Sequence, residues 1–545
     1  MSRLSRRSLV QGALAVGAAP LLGGCPSPTW TNVVGNQRVT PFARSFPENA
    51  RQLSELVAEA ESHGLRIRMT GSGHSFSDVA LTSDVLLGPD RLRAPLPFDS
   101  TELRPNFPAE PGRAYYRTQS GTTIRQLNQR TWQRGLSLRN LGGYNAQTVA
   151  GAAMTGTHGS GLDYGPIASQ IASVQVVGAG GRLVQVEPTN GITDPCKFKG
   201  HLLEDPSVPV TLVQDDDVFH AVAISMGCMG IAYSVVLEVQ RRFWLRERRT
   251  RTTWEKLKAK DGFLARLLAE GTPPARPGEP RPDHYEIYVS PYAKDGQHTA
   301  LLTERFKLDK KPSRNADARQ RGRAFANIGA FLAALGDQLG LVTDYLNRHP
   351  EEGPKIIETA LKELEDDVYI NRGYEVYNLG VANKARAIGV EPAFDITQTV
   401  AATEELFAIA ERERSAGRTH TIPVSLRFVK ASPIFLAPQS GRPTMMMEIN
   451  MLAGVEYSES ILTNYEHAFI SRFSARPHWG LDLDVIHDPA TIAALYPAWP
   501  KWLHVYEQLN PRGTFDADFT DRVGISRKCT GCSAPPLAAA TCHGA

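Results

Sequence analysis

Gly71-Ser-Gly-His-Ser-Phe-Ser-Asp78 is the stretch whose reading decides the fold of this chain. It follows Leu65-Arg-Ile-Arg-Met69, whose alternation reads as a strand, and it stands behind a helix expected from Asn49 to His63. Glycines at a strand exit let backbone N–H groups turn towards a ligand and approach it closely, which makes an anion cradle. The spacing is neither Gly-x-Gly-x-x-Gly nor the phosphate loop that ends in Gly-Lys-Ser/Thr. By itself the stretch also fits a tight surface turn with a capping serine. A second glycine loop with a histidine, Thr155-Gly-Thr-His-Gly-Ser-Gly161, argues for more than a turn.

Three further segments fall in order around these loops. Ser120-Gly-Thr-Thr-Ile124 precedes a helical stretch, Gln147-Thr-Val-Ala-Gly151 leads into the second loop, and Ser225-Met-Gly-Cys-Met-Gly-Ile-Ala-Tyr-Ser-Val-Val236 follows it. Together they resemble the FAD-binding (PCMH-type) domain of the vanillyl-alcohol-oxidase superfamily, nearest its sugar-1,4-lactone and alditol oxidase branch. The resemblance runs from about Trp30 to Gly524 and is poorest in the middle. It implies FAD, with His74 as the residue bonded to the flavin; a neutral imidazole nitrogen is a suitable nucleophile for that bond. It further implies pyrophosphate donors at Gly71, Ser72, Gly73 and Ser75. A second wall would come from Thr148, Gly151, Thr155, Gly156, His158 and Gly159, and adenosine contacts from Gly230 and Ile231.

The 545 residues are too many for one ordinary core and suit two domains plus ends. Sixty Lys+Arg against 57 Asp+Glu give no nucleic-acid footprint. The basic run Arg246 to Thr253 reads as a solvated strand edge, and Asp215-Asp-Asp217 as a loop. At the start, Ser5-Arg-Arg-Ser-Leu9 has the paired arginines of a twin-arginine export signal, followed by an apolar stretch too short to span a bilayer. Leu22-Gly-Gly-Cys25 resembles a bacterial lipobox, with cleavage near Ala18-Ala19 as the alternative. The expected location is the periplasmic or extracellular face, tethered to the membrane through a lipidated Cys25. Twin-arginine export carries folded protein, so cytoplasmic FAD can be loaded first, and a covalent link would then retain it.

Of the six cysteines, Cys228 reads as a small buried apolar residue. The tail with Cys529, Cys532 and Cys542 reads as a local disulfide or a disordered end rather than a metal site. In the second half, Asp283 to Ser290 alternates as a strand. Phe325 to Leu346 has the three-and-four spacing of an amphipathic helix, and Glu358 to Asp367 reads as a charged helix. Gly373-Tyr-Glu-Val-Tyr377 and Pro392 resemble the family's cap strands.

Ile422-Pro-Val-Ser-Leu-Arg-Phe-Val429 carries both a match and a mismatch. Family members read Glu-x-Arg here; Arg427 holds the arginine position but Ser425 replaces the glutamate. On the next strand Glu448 and Asn450 share one face, and Glu448 is expected either to supply the missing carboxylate or to act only as an ion-pair partner for Arg427. Arg476-Pro-His-Trp-Gly480 resembles the family's His-Trp-Gly segment, with Leu481 where lysine is common.

The expected fold is therefore α+β. The divisions are a signal over 1–25, a two-lobed FAD domain over 30–246, an antiparallel-sheet cap over 247–525 with a C-terminal return to the FAD site, and a tail over 526–545. The resemblance implies an oxidase of hydroxyl groups on sugar lactones or polyols. Hydride passes to flavin N5 and molecular oxygen serves as acceptor. Arg427, Glu448 and His478 are the catalytic candidates, and no metal is expected. Rival readings are a dehydrogenase using a quinone or cytochrome, a sterol-type alcohol oxidase, and a flavin-binding protein without catalysis. Ser425 and Leu481 are the support for the last two.

Overall fold

A computed structural model describes residues 27–105, 107, 112–310, 339–377, 386–527 and 537–542. The expected signal, Cys25, Cys529, Cys532 and most of the Phe325 to Leu346 helix lie outside the described residues; its last part is seen as the helix Leu339–Arg348.

The first lobe is a three-stranded parallel sheet with Val85–Leu87 between Ala43–Ser45 and Ile67–Met69. Helix Ala50–Ser62 crosses it, capped by Asn49, whose side chain accepts from the Gln52 N–H at 3.0 Å. Its apolar stripe (Leu53, Leu56, Val57, Ala60) buries against Ile67, Val85 and Leu87. The second lobe is a six-stranded sheet in the order Val210–Gln214, Leu183–Glu187, Ile171–Val177, Ile231–Arg241 and Arg113–Gln119, with Leu136–Ser137 also on Ile231–Arg241.

The cap is an eight-stranded antiparallel sheet. Its order is Asp366–Arg372, Trp244–Thr253, Gln297–Leu308, His284–Lys294, Val424–Val429, Thr444–Leu452 and Ala387–Val390, with Ala393–Asp395 also on Thr444–Leu452. Successive side chains of a strand point to opposite faces. Ile287, Leu426 and Met447 therefore pack under the helices Thr399–Ser415 and Ser458–Phe473, while Glu286, Arg427 and Glu448 occupy the other face, towards the FAD-domain lobes. After the cap the chain returns: helices Pro489–Leu495, Trp499–Leu509 and Asp518–Arg522 share a core with Phe219 and Val222. No helix among the described residues is long and apolar enough to cross a membrane.

Several local readings are corrected. The basic run is no solvated edge: Trp244–Thr253 pairs on both sides, and Glu247 and Arg249 are buried in ion pairs. Asp215 is a helix cap, its carboxylate accepting from the Val218 N–H at 2.9 Å at the start of Asp216–Ala223. Gly373–Tyr377 is a one-turn helix, and the charged helix ends at Glu363 before the strand Asp366–Arg372 begins. The tail is tied by no local bridge at Cys542, which pairs with Cys196, 346 residues earlier. Cys228 is fully buried.

Candidate active site

The Gly71 to Ser75 loop reaches the far side of its strand only because Gly71 (φ +57°) and Gly73 (φ +72°) take left-handed conformations. A Cβ on Gly71 would lie 3.1 Å from the Thr148 hydroxyl, and one on Gly73 3.1 Å from the Trp30 ring. The C-terminal return holds this loop in place. The Phe76 N–H donates to the Gly480 carbonyl and the Ser77 hydroxyl to the Trp479 carbonyl, each at 2.9 Å. Opposite stands Thr148, which caps the short helix Val149–Met154.

Between these walls lies a cleft with about 950 Å³ of empty space. Gly71, Ser72, Gly73, His74 and Ser75 form one wall; Thr148, Gly151 and Thr155 form another; Gly230 and Ile231 close one part, and His478 and Leu481 enter from the return segment. The backbone approach at the glycines and the hydroxyls of Ser72, Ser75 and Thr148 fit a pyrophosphate-bearing cofactor. Burial pushes the His74 imidazole below its ordinary pKa, which favours the neutral ring.

Gly156, His158 and Gly159 do not line this cleft. Their loop is joined instead to the cap: the Gly161 N–H donates to the Phe428 carbonyl at 2.6 Å and the Phe428 N–H to the Ser160 hydroxyl at 3.2 Å. His158 and Gly159 line a second cavity of about 310 Å³, shared with Glu286, Arg305 and Arg427.

Arg427 is bracketed by three carboxylates. Its Nε donates to Glu286 at 2.9 Å, one terminal nitrogen meets Glu448 at 2.5 Å, and the other lies 3.6 Å from Glu391. Sequence reasoning selected Arg427 and Glu448 but missed Glu286, on the strand His284–Lys294, and Glu391, between the strands Ala387–Val390 and Ala393–Asp395. Burial alone would raise the Glu286 carboxyl, but Arg427, Arg305 and the Ser425 hydroxyl hold it below its ordinary value. Glu448 goes the other way: burial raises it, and Glu391 adds repulsion that Arg427 offsets only in part. Two carboxylates beside one guanidinium are thus pushed apart in acidity, and Glu448 is the one suited to take a proton.

His158, Glu391 and His478 place ligand-type atoms within 4.8 Å of one another. The Gly480 N–H donates to His478 Nδ1 at 3.1 Å, so the ring proton sits on Nε2. His158 Nδ1 faces the Gly159 carbonyl at 2.7 Å and so carries a proton, while Nε2 faces Glu391 at 3.2 Å. Burial lowers the His478 pKa to about 4.

Comparison with known proteins agrees with this geometry. A family described as "FAD binding domain" matches residues 41–187, and one described as "D-arabinono-1,4-lactone oxidase" matches residues 280–523. The chain belongs to the sugar-lactone oxidase branch of the vanillyl-alcohol-oxidase superfamily. The L-gulono-1,4-lactone dehydrogenase of Mycobacterium tuberculosis (strain ATCC 25618 / H37Rv) is 26% identical over 91% of this chain and 99% of its own. The L-gulonolactone oxidase of Mus musculus is 21% identical over 88% and 94%. Among solved structures, cholesterol oxidase from B. sterolicum superposes with a TM-score of 0.67 at 15% identity, covering 93% of this chain and all of that one. That likeness is one of fold. The protein is an FAD-dependent oxidoreductase.

Proposed function

We propose that the protein oxidises a hydroxyl group on a sugar 1,4-lactone, with FAD held in the glycine cleft and linked to His74. The observation that carries this reading is the convergence of the flavin-type cleft, through His478, with a cap face built from Arg427, Glu286, Glu391 and Glu448. Bound FAD supplies the hydride acceptor, and the chain supplies orientation and charge control. Glu448 accepts the hydroxyl proton, and the Arg427 guanidinium, charged at every working pH, steadies the developing alkoxide. Both relatives quoted are named for gulonolactone chemistry, one as a dehydrogenase and one as an oxidase. Oxygen is the proposed acceptor here, with a quinone or cytochrome as the alternative.

The fold likeness to cholesterol oxidase does not favour a sterol. The second cavity is lined by Glu286, Arg305, Arg427 and His158, a charged lining that suits a hydroxylated substrate better than a hydrocarbon skeleton. The apolar Leu481 lies in the cofactor cleft rather than in that cavity. Anaerobic mixing with D-arabinono-1,4-lactone, L-gulono-1,4-lactone, xylitol and cholesterol tests the reading. Bleaching of the flavin by a lactone is expected, and bleaching by cholesterol alone would overturn it. Turnover under air against turnover with an artificial acceptor decides the final step.

We also propose export by the twin-arginine route and anchoring through Cys25. The long-range Cys196–Cys542 disulfide supports a compartment outside the reducing cytoplasm. Detergent dependence of extraction, lost in Cys25→Ser, is the expected result; a mature amino terminus before Cys25 would overturn the anchor.

A further inference from the structure

Strand Val424–Val429 lies between His284–Lys294 and Thr444–Leu452 in a register that fixes four polar side chains on one face. Arg427 stands directly opposite Glu286, and Ser425 stands opposite Glu448. The Ser425 hydroxyl and Arg427 Nε donate to the same oxygen of Glu286, at 2.8 and 2.9 Å. The other Glu286 oxygen lies 3.4 Å from Arg305, which Glu247 holds at 2.7 Å. Glu286 is therefore itself fixed from behind while it fixes Arg427.

We propose that Glu286 is the positioning residue of this site: it sets the plane of the Arg427 guanidinium, so that the arginine and Glu448 together meet the substrate hydroxyl. A planar guanidinium gripped at Nε by one carboxylate and at a terminal nitrogen by another cannot rotate about its stem. The register also explains why no acid stands at 425. Side chains directly opposite on antiparallel strands have Cβ atoms about 5 Å apart, and like charges there repel. An acid at 425 would face Glu448, whereas a serine passes its hydrogen to Glu286. The carboxylate that grips Nε is thus carried by the neighbouring strand, and Ser425, Glu286 and Glu448 form one matched set.

The inference rests on the lactone reading, and the experiment separates the two. In the holoenzyme, Glu286→Gln should slow anaerobic flavin reduction at saturating lactone by roughly 10–100-fold, the scale of a misplaced catalytic group, while lactone affinity changes little. Glu286→Asp keeps a carboxylate at the same strand position and should recover part of that loss. An unchanged rate in Glu286→Gln, or Glu286→Asp as slow as Glu286→Gln, overturns the proposal. Crystal structures of the same holoenzymes give a readout that needs no substrate. The guanidinium should leave its place in Glu286→Gln and stay nearer to it in Glu286→Asp, and a stationary Arg427 in Glu286→Gln also overturns the proposal. Failure of every lactone to bleach the unmodified flavin would sink the lactone reading instead, leaving the crystallographic test of Glu286 intact.

Discussion

A histidine that bonds a flavin needs a ring nitrogen without its proton, and partial burial in the cleft favours that state at His74. If the ring carries the flavin, acid-precipitated protein stays yellow, and His74→Ala releases all of its FAD to the supernatant. Release from the unmodified protein would leave the fold standing and remove the covalent link. His74, Arg427 and Glu448 could be selected as candidates from sequence because each sits in a stretch with its own local pattern: a glycine loop or an alternating strand. Glu286 and Glu391 could not be singled out, since what brings them to Arg427 is cross-strand register and the packing of the second histidine loop. The same loop shows the limit of motif reading. His158 was expected either on the flavin wall or in a purely structural role, and hydrogen bonds from Gly161 and to Ser160 join its loop to the cap.

Among the elements, those with short-range determinants were legible. Helix Ile124–Gln133 begins with a capping box between Thr123 and Gln126, both visible in sequence. Strand Trp244–Thr253 was misread because a run of arginines suggests solvent, whereas its partners arrive from Gln297–Leu308 and its own Glu247. Here alternation decides the energetics. Glu247 is 1% exposed and serves two buried arginines, Arg249 and Arg305, so Glu247→Ala removes a buried counter-charge from each, with Arg305 keeping Glu286 at 3.4 Å, and should cost about 3 kcal/mol. Arg251, four residues on, keeps only a surface pair with Glu365 at 3.6 Å, and Arg251→Ala should change stability by less than about 0.5 kcal/mol. Urea unfolding of the two variants measures the contrast, and comparable costs would return the strand to the exposed edge that its composition suggests.

At the scale of the whole molecule, two features set how it comes apart. Burial lowers the pKa of His284 and His420 to about 3 and of His478 to about 4, all below the ordinary 6.5. The unfolded chain then binds more protons than the folded one below pH 6.5, so this stability is present above 6.5 and is lost as pH falls towards 4. Urea midpoints at pH 7, 6 and 5 should decline with growing slope, and flat midpoints would mean that these rings are protonated in place. The second feature is the chain's end. Trp499, Trp502 and Tyr506 stack along one helix and bury it in the FAD-domain core, so the return segment is held by packing. Beyond it, the Ala540 N–H donates to the Leu212 carbonyl on the outermost strand of the six-stranded sheet, and Cys542 bonds to Cys196. That link closes a very long loop, and cross-links of this kind restrict the unfolded chain, typically by about 2–4 kcal/mol. Cys542→Ser should therefore lower the thermal midpoint, and dithiothreitol should lower that of the unmodified protein but not of the variant. Flavin content should stay unchanged, because none of residues 537–542 lines the cofactor cleft. Loss of FAD in Cys542→Ser would instead mean that the tail's grip on the edge strand is transmitted to the glycine loops, and the two lobes would have to be treated as one mechanical unit.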